Sequence, residues 1–353
     1  MSELVVIDAD VLGRHRTGDE TYVENLLRRL PALAGDEFTF AALTRRPDLV
    51  PEGVEAVEVP ARFQELRMLL GVPRALRRLR PALAHFQHSV PPRWRGSMVV
   101  TVHDLSFERT ATAMGRRDRA IFKVVVPWSV RRARQVIAVS ERTKRDLIDL
   151  YDLPEERITV TPHGIDPAFG PARSAAEQSP TARTEGVGDE GGRDYLLFVG
   201  AIQERKNPLA ALEAAEAVGL PLVVAGPERE PALARELERR GADLRGYVEK
   251  AGLAALYRGA AVLVLPSRYE GFGLPVLEAM ACGTPVVANP DPALKEVAGD
   301  AALYAEPADL AEAIRRAIAE RGRLVAAGFA RATGFSWDES ARLTLDAYRK
   351  ALA

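Results

Sequence analysis

The sequence predicts an α/β protein of two doubly wound domains that face each other across a cleft. Three observations predict it. From Leu4 onward, short apolar runs alternate with stretches of helical periodicity, the pattern of strand–helix units around parallel sheets. The alternation breaks over 170–193, where Ala, Ser, Glu and Gly dominate without an aromatic residue, and it restarts at Tyr195. The 353 residues exceed one typical core and suit two. The expected division is 1–169, a flexible linker and insertion over 170–193, and a second domain over 194–336.

Each element has a local reason. Leu4 to Ile7 is a short apolar strand. A polar loop, Asp10 to Asp19, follows with Gly13 and Gly18, and a helix from about Glu20 places Tyr22, Val23, Leu26, Leu27 and Leu30 on one face. This is the opening unit of a doubly wound sheet, although G-x-G-x-x-G is missing. Strands are expected at Phe38–Leu43, Val54–Val59 and Ala84–Phe86, with an Arg-rich helix over Leu66–Leu79 interrupted by Pro73. The β-branched run from Met98 ends on His103 and Asp104, and the carboxyl end of a parallel strand is where such sheets bind ligands. The competing reading of His103 is a satisfied core histidine. Arg117–Ala133 reads as a helix, Gln135–Ser140 as a strand whose Ser140 caps the next helix, and Ile158–Thr161 as the last strand of this half.

The second half repeats the scheme. Strands are expected at Tyr195–Gly200, Leu222–Gly226, Leu244–Val248, Ala261–Leu265, Pro285–Ala288 and Ala302–Ala305. After Gly200 comes a basic loop carrying Arg205 and Lys206. Two adjacent cations at a helix start suit a diphosphate. The stretch from Pro266 to Ala288 turns through Gly271 and Gly273, opens a helix near Leu274 with Pro275, and closes it at Gly283. Glu270 in the turn and Glu278 within the helix flank an anion-friendly helix start, an arrangement that suits a sugar nucleotide. Surface glutamates on an ordinary strand–turn–helix are the competing reading.

The stretch E-G-F-G-L-P, followed by E-A-M-A-C-G-T-P-V-V, resembles the signature of the family 4 retaining glycosyltransferases, whose fold is the Rossmann-like, two-domain GT-B arrangement. Nearly the whole chain takes part, most strongly from Tyr195 to Ala288. V-T-V-H-D-L-S-F and V-G-A-I-Q-E-R-K-N look like the mannosyltransferase-type branch, whose members serve cell-envelope polysaccharide synthesis. The resemblance implies transfer of a hexose from a nucleoside diphosphate sugar, GDP-mannose first and UDP-glucose next, to a glycan, lipid-linked or small-molecule acceptor. It implies Glu270, Lys206, Arg205 and His103 as catalytic residues. It places Glu278, Phe272, Gly273, Leu274, Gly200, Gly226, Val248 and Gly18 around the donor, and Asp104 and His163 on the acceptor side. Ala201 departs from the Arg common after the glycine, and His163 replaces an Asn in P-H-G-I-D. The terminal helix, 337–353, is implied to cross back onto the first domain.

Composition excludes other classes. A formal charge of −1 argues against a nucleic-acid partner. Arg74 to Arg80 reads as a solvated helix face, with peripheral membrane contact as its alternative. The single cysteine, Cys282, excludes an internal disulfide framework and reads as a small buried hydrophobe. No signal peptide precedes the first strand, and no apolar run approaches the roughly 18 residues of a membrane span. The expectation is a cytoplasmic protein, with the inner membrane face as an alternative place. Nothing specifies an oligomeric state. No Asp-x-Asp is present, and the basic loop fills a metal's electrostatic role, so a metal-independent reaction is expected with no tightly bound cofactor. The rival readings are a sugar-nucleotide epimerase of the same fold, a catalytically silent sugar-nucleotide-binding partner, and a two-lobed solute-binding protein.

Overall fold

The computed structural model describes residues 2–14, 17–61, 63–110, 115–171 and 194–353. Beyond Gly170 and Pro171, the linker expected over 170–193 lies outside the described residues. The chain forms two compact units. One takes the chain up to Glu108, the segment ending at Gly164, and Ser336–Ala353; the other holds Ile165–Phe335. The expected boundary at 169 thus falls at Gly164, because Asp166 and Phe169 bind second-unit residues. Lys250 Nζ donates to Asp166 Oδ2 at 2.9 Å, and the Phe169 ring meets Tyr257 edge-on.

The first unit is a seven-stranded, all-parallel sheet. Its strands are β1 (Glu3–Asp8), β2 (Phe38–Thr44), β3 (Glu55–Glu58), β4 (Leu83–Gln87), β5 (Met98–Val102), β6 (Gln135–Ala138) and β7 (Ile158–Val160). Their order is β3-β2-β1-β4-β5-β6-β7. The second unit has β8 (Leu196–Val199), β9 (Leu222–Ala225), β10 (Asp243–Leu244), β11 (Val262–Leu265), β12 (Val286–Ala288) and β13 (Ala302–Tyr304), also parallel, in the order β10-β9-β8-β11-β12-β13. Both orders reverse beside their first strand. That reversal opens a crevice at the carboxyl ends, between β1 and β4 in one unit and between β8 and β11 in the other. The central strands are buried on both faces, which is why they read as continuous Val, Leu and Ile runs.

Three local readings are corrected. The first helix begins at Thr17, so Gly18 lies in its first turn with no close neighbour; Gly13 is the loop glycine, at φ +73, and its N–H donates to Glu20 Oε1 at 2.6 Å. The last strand before Tyr247 ends at Leu244, because Gly246 turns the chain at φ +60 and leaves Val248 in a loop. Pro73 does not interrupt its helix. A π turn, Arg67–Gly71, runs into the helix Val72–Leu79, and Pro73, which has no N–H to place, sits in that helix's first turn.

The helix Trp337–Leu352 belongs to the first unit, capped by Ser336, whose Oγ accepts from Asp338 N at 3.1 Å. Its Tyr348 hydroxyl meets buried His85 Nδ1 at 2.7 Å, and Arg349 pairs with Glu37 at 2.6 Å. Gly164 has an ordinary negative φ; its place is set by close approach. A Cβ there would lie 2.0 Å from Trp337 N and 2.4 Å from Ser336 C. We expect Gly164→Ala to push this helix off the sheet and cost about 1–3 kcal/mol, read as a lower denaturation midpoint. An unchanged midpoint refutes that packing. Among the described residues, no helix is long and apolar enough to cross a membrane.

Candidate active site

Two groups of residues gather at the carboxyl ends of the sheets, one in each unit. In the second unit the crevice beside β8 and β11 receives the basic loop and the acidic turn together. Gly226 follows β9 at φ +150, and a Cβ on it would sit 2.1 Å from the carbonyl oxygen of Gly200. Only glycine lets these two backbones touch, and the contact brings the Gly200–Asn207 loop over the strand ends. The short helix Glu204–Lys206 then aims Lys206 at the turn after β11. Lys206 Nζ donates to both carboxylate oxygens of Glu270, at 2.5 and 2.7 Å. Arg205 Nη1 donates to the carbonyl of Tyr269 at 2.6 Å and stands 4.0 Å from Glu270 Oε2.

Glu270 is 5% exposed. Burial pushes its carboxyl up, but Lys206 and Arg205 outweigh burial and hold it below the usual carboxylate range. The result is a charged triad of two cations and one anion. It bears one surplus positive charge, which suits an anionic ligand.

Gly273, at φ +110, caps the helix Leu274–Ala281, and Pro275 takes its second position. The N–H groups of Gly273 and Leu274 stand at the positive end of this helix. Phe272 is buried and packs edge-on against Phe335 at 5.9 Å. The helix ends as expected: Gly283 N–H donates to the Met280 carbonyl and Thr284 N–H to that of Ala279. Cys282 is buried there, its thiol pushed up to about 12 by desolvation, and it is inert as a nucleophile.

Glu278 keeps a different environment from Glu270. It accepts from the Tyr257 hydroxyl at 2.8 Å, and desolvation pushes its carboxyl up to about 8. The sequence did not identify Tyr257 as its partner, because the two lie on different helices. Val248 is half-buried in the loop before the helix Lys250–Gly259.

In the first unit His103 follows β5 and is 8% exposed. Its Nε2 meets Gln87 Oε1 at 2.9 Å, and its ring stands 5.0 Å from Tyr22, 5.3 Å from His88 and 6.0 Å from His163. Burial brings His103 down to about 4 despite the opposing pull of Asp19, so the ring is neutral near neutral pH. His163 is buried against Trp337, with ring centres 5.3 Å apart, and desolvation holds it well below its ordinary value. Asp104 Oδ1 accepts from both N and Oγ of Ser106, so that oxygen caps the short helix Ser106–Arg109.

The sequence missed an ion cluster at the end of β1. Fully buried Arg67 donates from Nη2 to Asp8 Oδ1 at 2.7 Å and to the Leu43 carbonyl at 2.9 Å, while Asp10 pairs with Arg67, Arg45 and Arg14. Burial raises the Asp10 carboxyl. The cluster pins the Gly13 loop. An Arg inside an Arg-rich helical stretch gave no signal that it would be the buried one.

Comparisons with known proteins give the family and the fold. A family model described as "Glycosyltransferase Family 4" matches residues 16–169, and one described as "Glycosyl transferases group 1" matches residues 193–320. The chain is 32% identical over 295 residues to an O-antigen chain mannosyltransferase B of Escherichia coli, covering 78% of this chain and 76% of that one. It is 35% identical over 295 residues to a D-inositol 3-phosphate glycosyltransferase of Frankia alni, covering 75% and 71%. Among solved structures, a sucrose-phosphate synthase from Thermosynechococcus elongatus aligns at TM-score 0.77 with 19% identity over 99% of both chains. Anabaena Alr3699/HepE, in complex with UDP and glucose, aligns at TM-score 0.76 with 16% identity over 99% of this chain and 100% of that one. With these relatives and two doubly wound sheets, the chain belongs to glycosyltransferase family 4 and has the GT-B fold.

Proposed function

We propose that the chain is a retaining hexosyltransferase that moves mannose or glucose from a nucleoside diphosphate sugar to an acceptor hydroxyl. The observation that carries the reading is the Lys206–Glu270 pair, with Arg205 beside it, at the β8/β11 crevice. Lys206 and Arg205 neutralise the diphosphate as the bond between the anomeric carbon and the phosphate oxygen breaks. That interaction strengthens as charge develops, so it lowers the barrier as well as binding the donor. Glu270 accepts from hydroxyls of the transferred sugar, and the N–H groups of Phe272, Gly273 and Leu274 meet the sugar or the distal phosphate. Glu278 accepts from the ribose hydroxyls, and Val248 meets the base through its backbone. The acceptor oxygen attacks the same face of the sugar that the phosphate leaves, and its proton passes to the departing phosphate oxygen. His103 meets the donor sugar and the acceptor hydroxyl, with Asp104 and His163 on the acceptor side. The paired cations supply the charge that a metal would otherwise bring.

V-T-V-H-D-L-S-F and the likeness to an O-antigen chain mannosyltransferase support GDP-mannose as donor. The HepE complex with UDP and glucose supports UDP-glucose next. The named relatives support a glycan or a phosphorylated small molecule as acceptor. Thermal-shift measurement against a panel of nucleotide sugars tests the donor. A donor at a hundred times its Kd stabilises by about 2.7 kcal/mol, and GDP-mannose is expected to give the largest shift. A panel without any shift overturns the reading. Product analysis with and without acceptor separates transfer from epimerisation, and the anomeric configuration of the product tests retention.

A further inference from the structure

We infer that Asp19, His88 and His103 form a binding site for one zinc ion. Asp19 lies in the first turn of the helix Thr17–Ala34, His88 directly follows β4, and His103 directly follows β5. One donor atom from each lies within 4.8 Å of the other two. The Nδ1 atoms of His88 and His103 are both buried without a hydrogen-bond partner among the described residues.

The hydrogen bonding of His103 explains why a cation fits. Its Nε2 faces the side-chain oxygen of Gln87 at 2.9 Å, so with Gln87 oriented this way Nε2 carries the proton and Nδ1 is a bare lone pair. That lone pair stands 3.8 Å from Asp19 Oδ1. Two acceptors therefore face each other with no proton between them, and burial keeps the ring neutral. A metal-bound imidazole commonly donates its other ring N–H to an oxygen acceptor, usually a carboxylate, a backbone carbonyl or water, and the Gln87 side-chain oxygen takes that place here. His88 sits at φ +58, a backbone that non-glycine residues seldom adopt, with its ring 5.3 Å from that of His103.

Two imidazoles and one carboxylate suit zinc, with a fourth position for water, whereas magnesium favours oxygen ligands alone. Bonds of about 2.0–2.1 Å put tetrahedral ligand atoms roughly 3.4 Å apart, so the site closes by small side-chain shifts. Asp19 is 35% exposed and has room to move. A bound zinc occupies the free nitrogen of His103 and ties the start of the helix Thr17–Ala34 to β4 and β5. Inhibition of transfer follows from the proposed role of His103; the binding itself does not depend on that role.

Calorimetry of the full chain with zinc chloride alone is expected to show one ion per chain, and magnesium chloride none. His88→Asn tolerates the left-handed backbone and lacks the ligand nitrogen; Asp19→Asn keeps the shape of the helix start. Each weakens zinc binding by at least about tenfold, and Gln87→Leu, which removes only the support, weakens it about 10–100-fold. Cobalt(II) absorbs in the visible in a tetrahedral site, and that absorption disappears in both ligand variants. Zinc inhibits transfer by the parent chain and inhibits His88→Asn at least about tenfold less. Absence of zinc binding, or binding that none of the three variants changes, overturns the site. Tight zinc binding without inhibition leaves the site standing and removes His103 from the transfer step.

Discussion

Lys206→Ala is expected to lower kcat by about 10²–10³-fold, the size of effect seen when a single charge-stabilising donor is lost. The ammonium is held by both oxygens of Glu270, at 2.5 and 2.7 Å. It is therefore already held in place before any donor arrives, as the role proposed for it at the departing phosphate requires. The same substitution weakens the fold. Glu270 is buried, and without Lys206 its nearest cation is Arg205 at 4.0 Å. Breaking a buried pair on one side costs about 3–5 kcal/mol, unless the carboxyl takes a proton instead. The double variant, Lys206→Ala with Glu270→Ala, separates the two effects. Removing both partners recovers most of the lost stability, because no uncompensated charge remains, yet transfer stays lost. Should Lys206→Ala keep more than about a tenth of the parent kcat, the loop has no part in the departure of the phosphate.

Arg205, Lys206 and Glu270 were picked out one by one from the sequence, whereas the pairing of Lys206 with Glu270 across 64 positions was not. Arg205 and Lys206 lie in the loop that follows a strand and Gly200, and Glu270 directly precedes Gly271 in the turn before a helix. Short-range turn chemistry places each of them, and the parallel order of β8 and β11 brings the two loops together. Most partners that escaped the sequence are distant in the chain, although Tyr257 and Glu278 lie only 21 positions apart and Arg14 only four from Asp10. Arg67 reaches Asp8 across 59 positions and His85 reaches Tyr348 across 263, and neither pair carries a periodic or motif signal. Gly164 carried no signal of its partner either: its neighbour is the start of a helix from the far end of the chain. Strand ends failed for a related reason: Gly246 turns the chain at φ +60, so β10 stops at Leu244 and does not reach the expected Val248.

Donor affinity is expected to rise with pH, about tenfold per unit between pH 6 and pH 8, and to level off above. Glu278 is the cause. Desolvation pushes its carboxyl up to about 8, so near neutrality most molecules hold it protonated. Its Oε2 already accepts from the Tyr257 hydroxyl at 2.8 Å. An ionised carboxylate has about four lone-pair sites and keeps enough for both ribose hydroxyls; the acid form has fewer and brings a proton of its own. Binding thus requires the proton to leave, and each unit below the folded value divides the competent fraction by ten. The sign is fixed: affinity falls as pH falls, and binding releases about half a proton at pH 8 and close to one at pH 7 and below. Glu270 cannot produce this trend, since its cations hold it below the usual range, and His103 titrates near 4. The ligand should be an intact nucleotide sugar, because its diphosphate has no proton to lose near neutrality. Calorimetry in buffers of different ionisation enthalpy reads the released proton directly. Glu278→Gln binds more weakly than the parent at high pH and shows no pH dependence. A parent chain whose affinity is flat from pH 6 to 9 would remove Glu278 from the ribose and leave it as a structural partner of Tyr257.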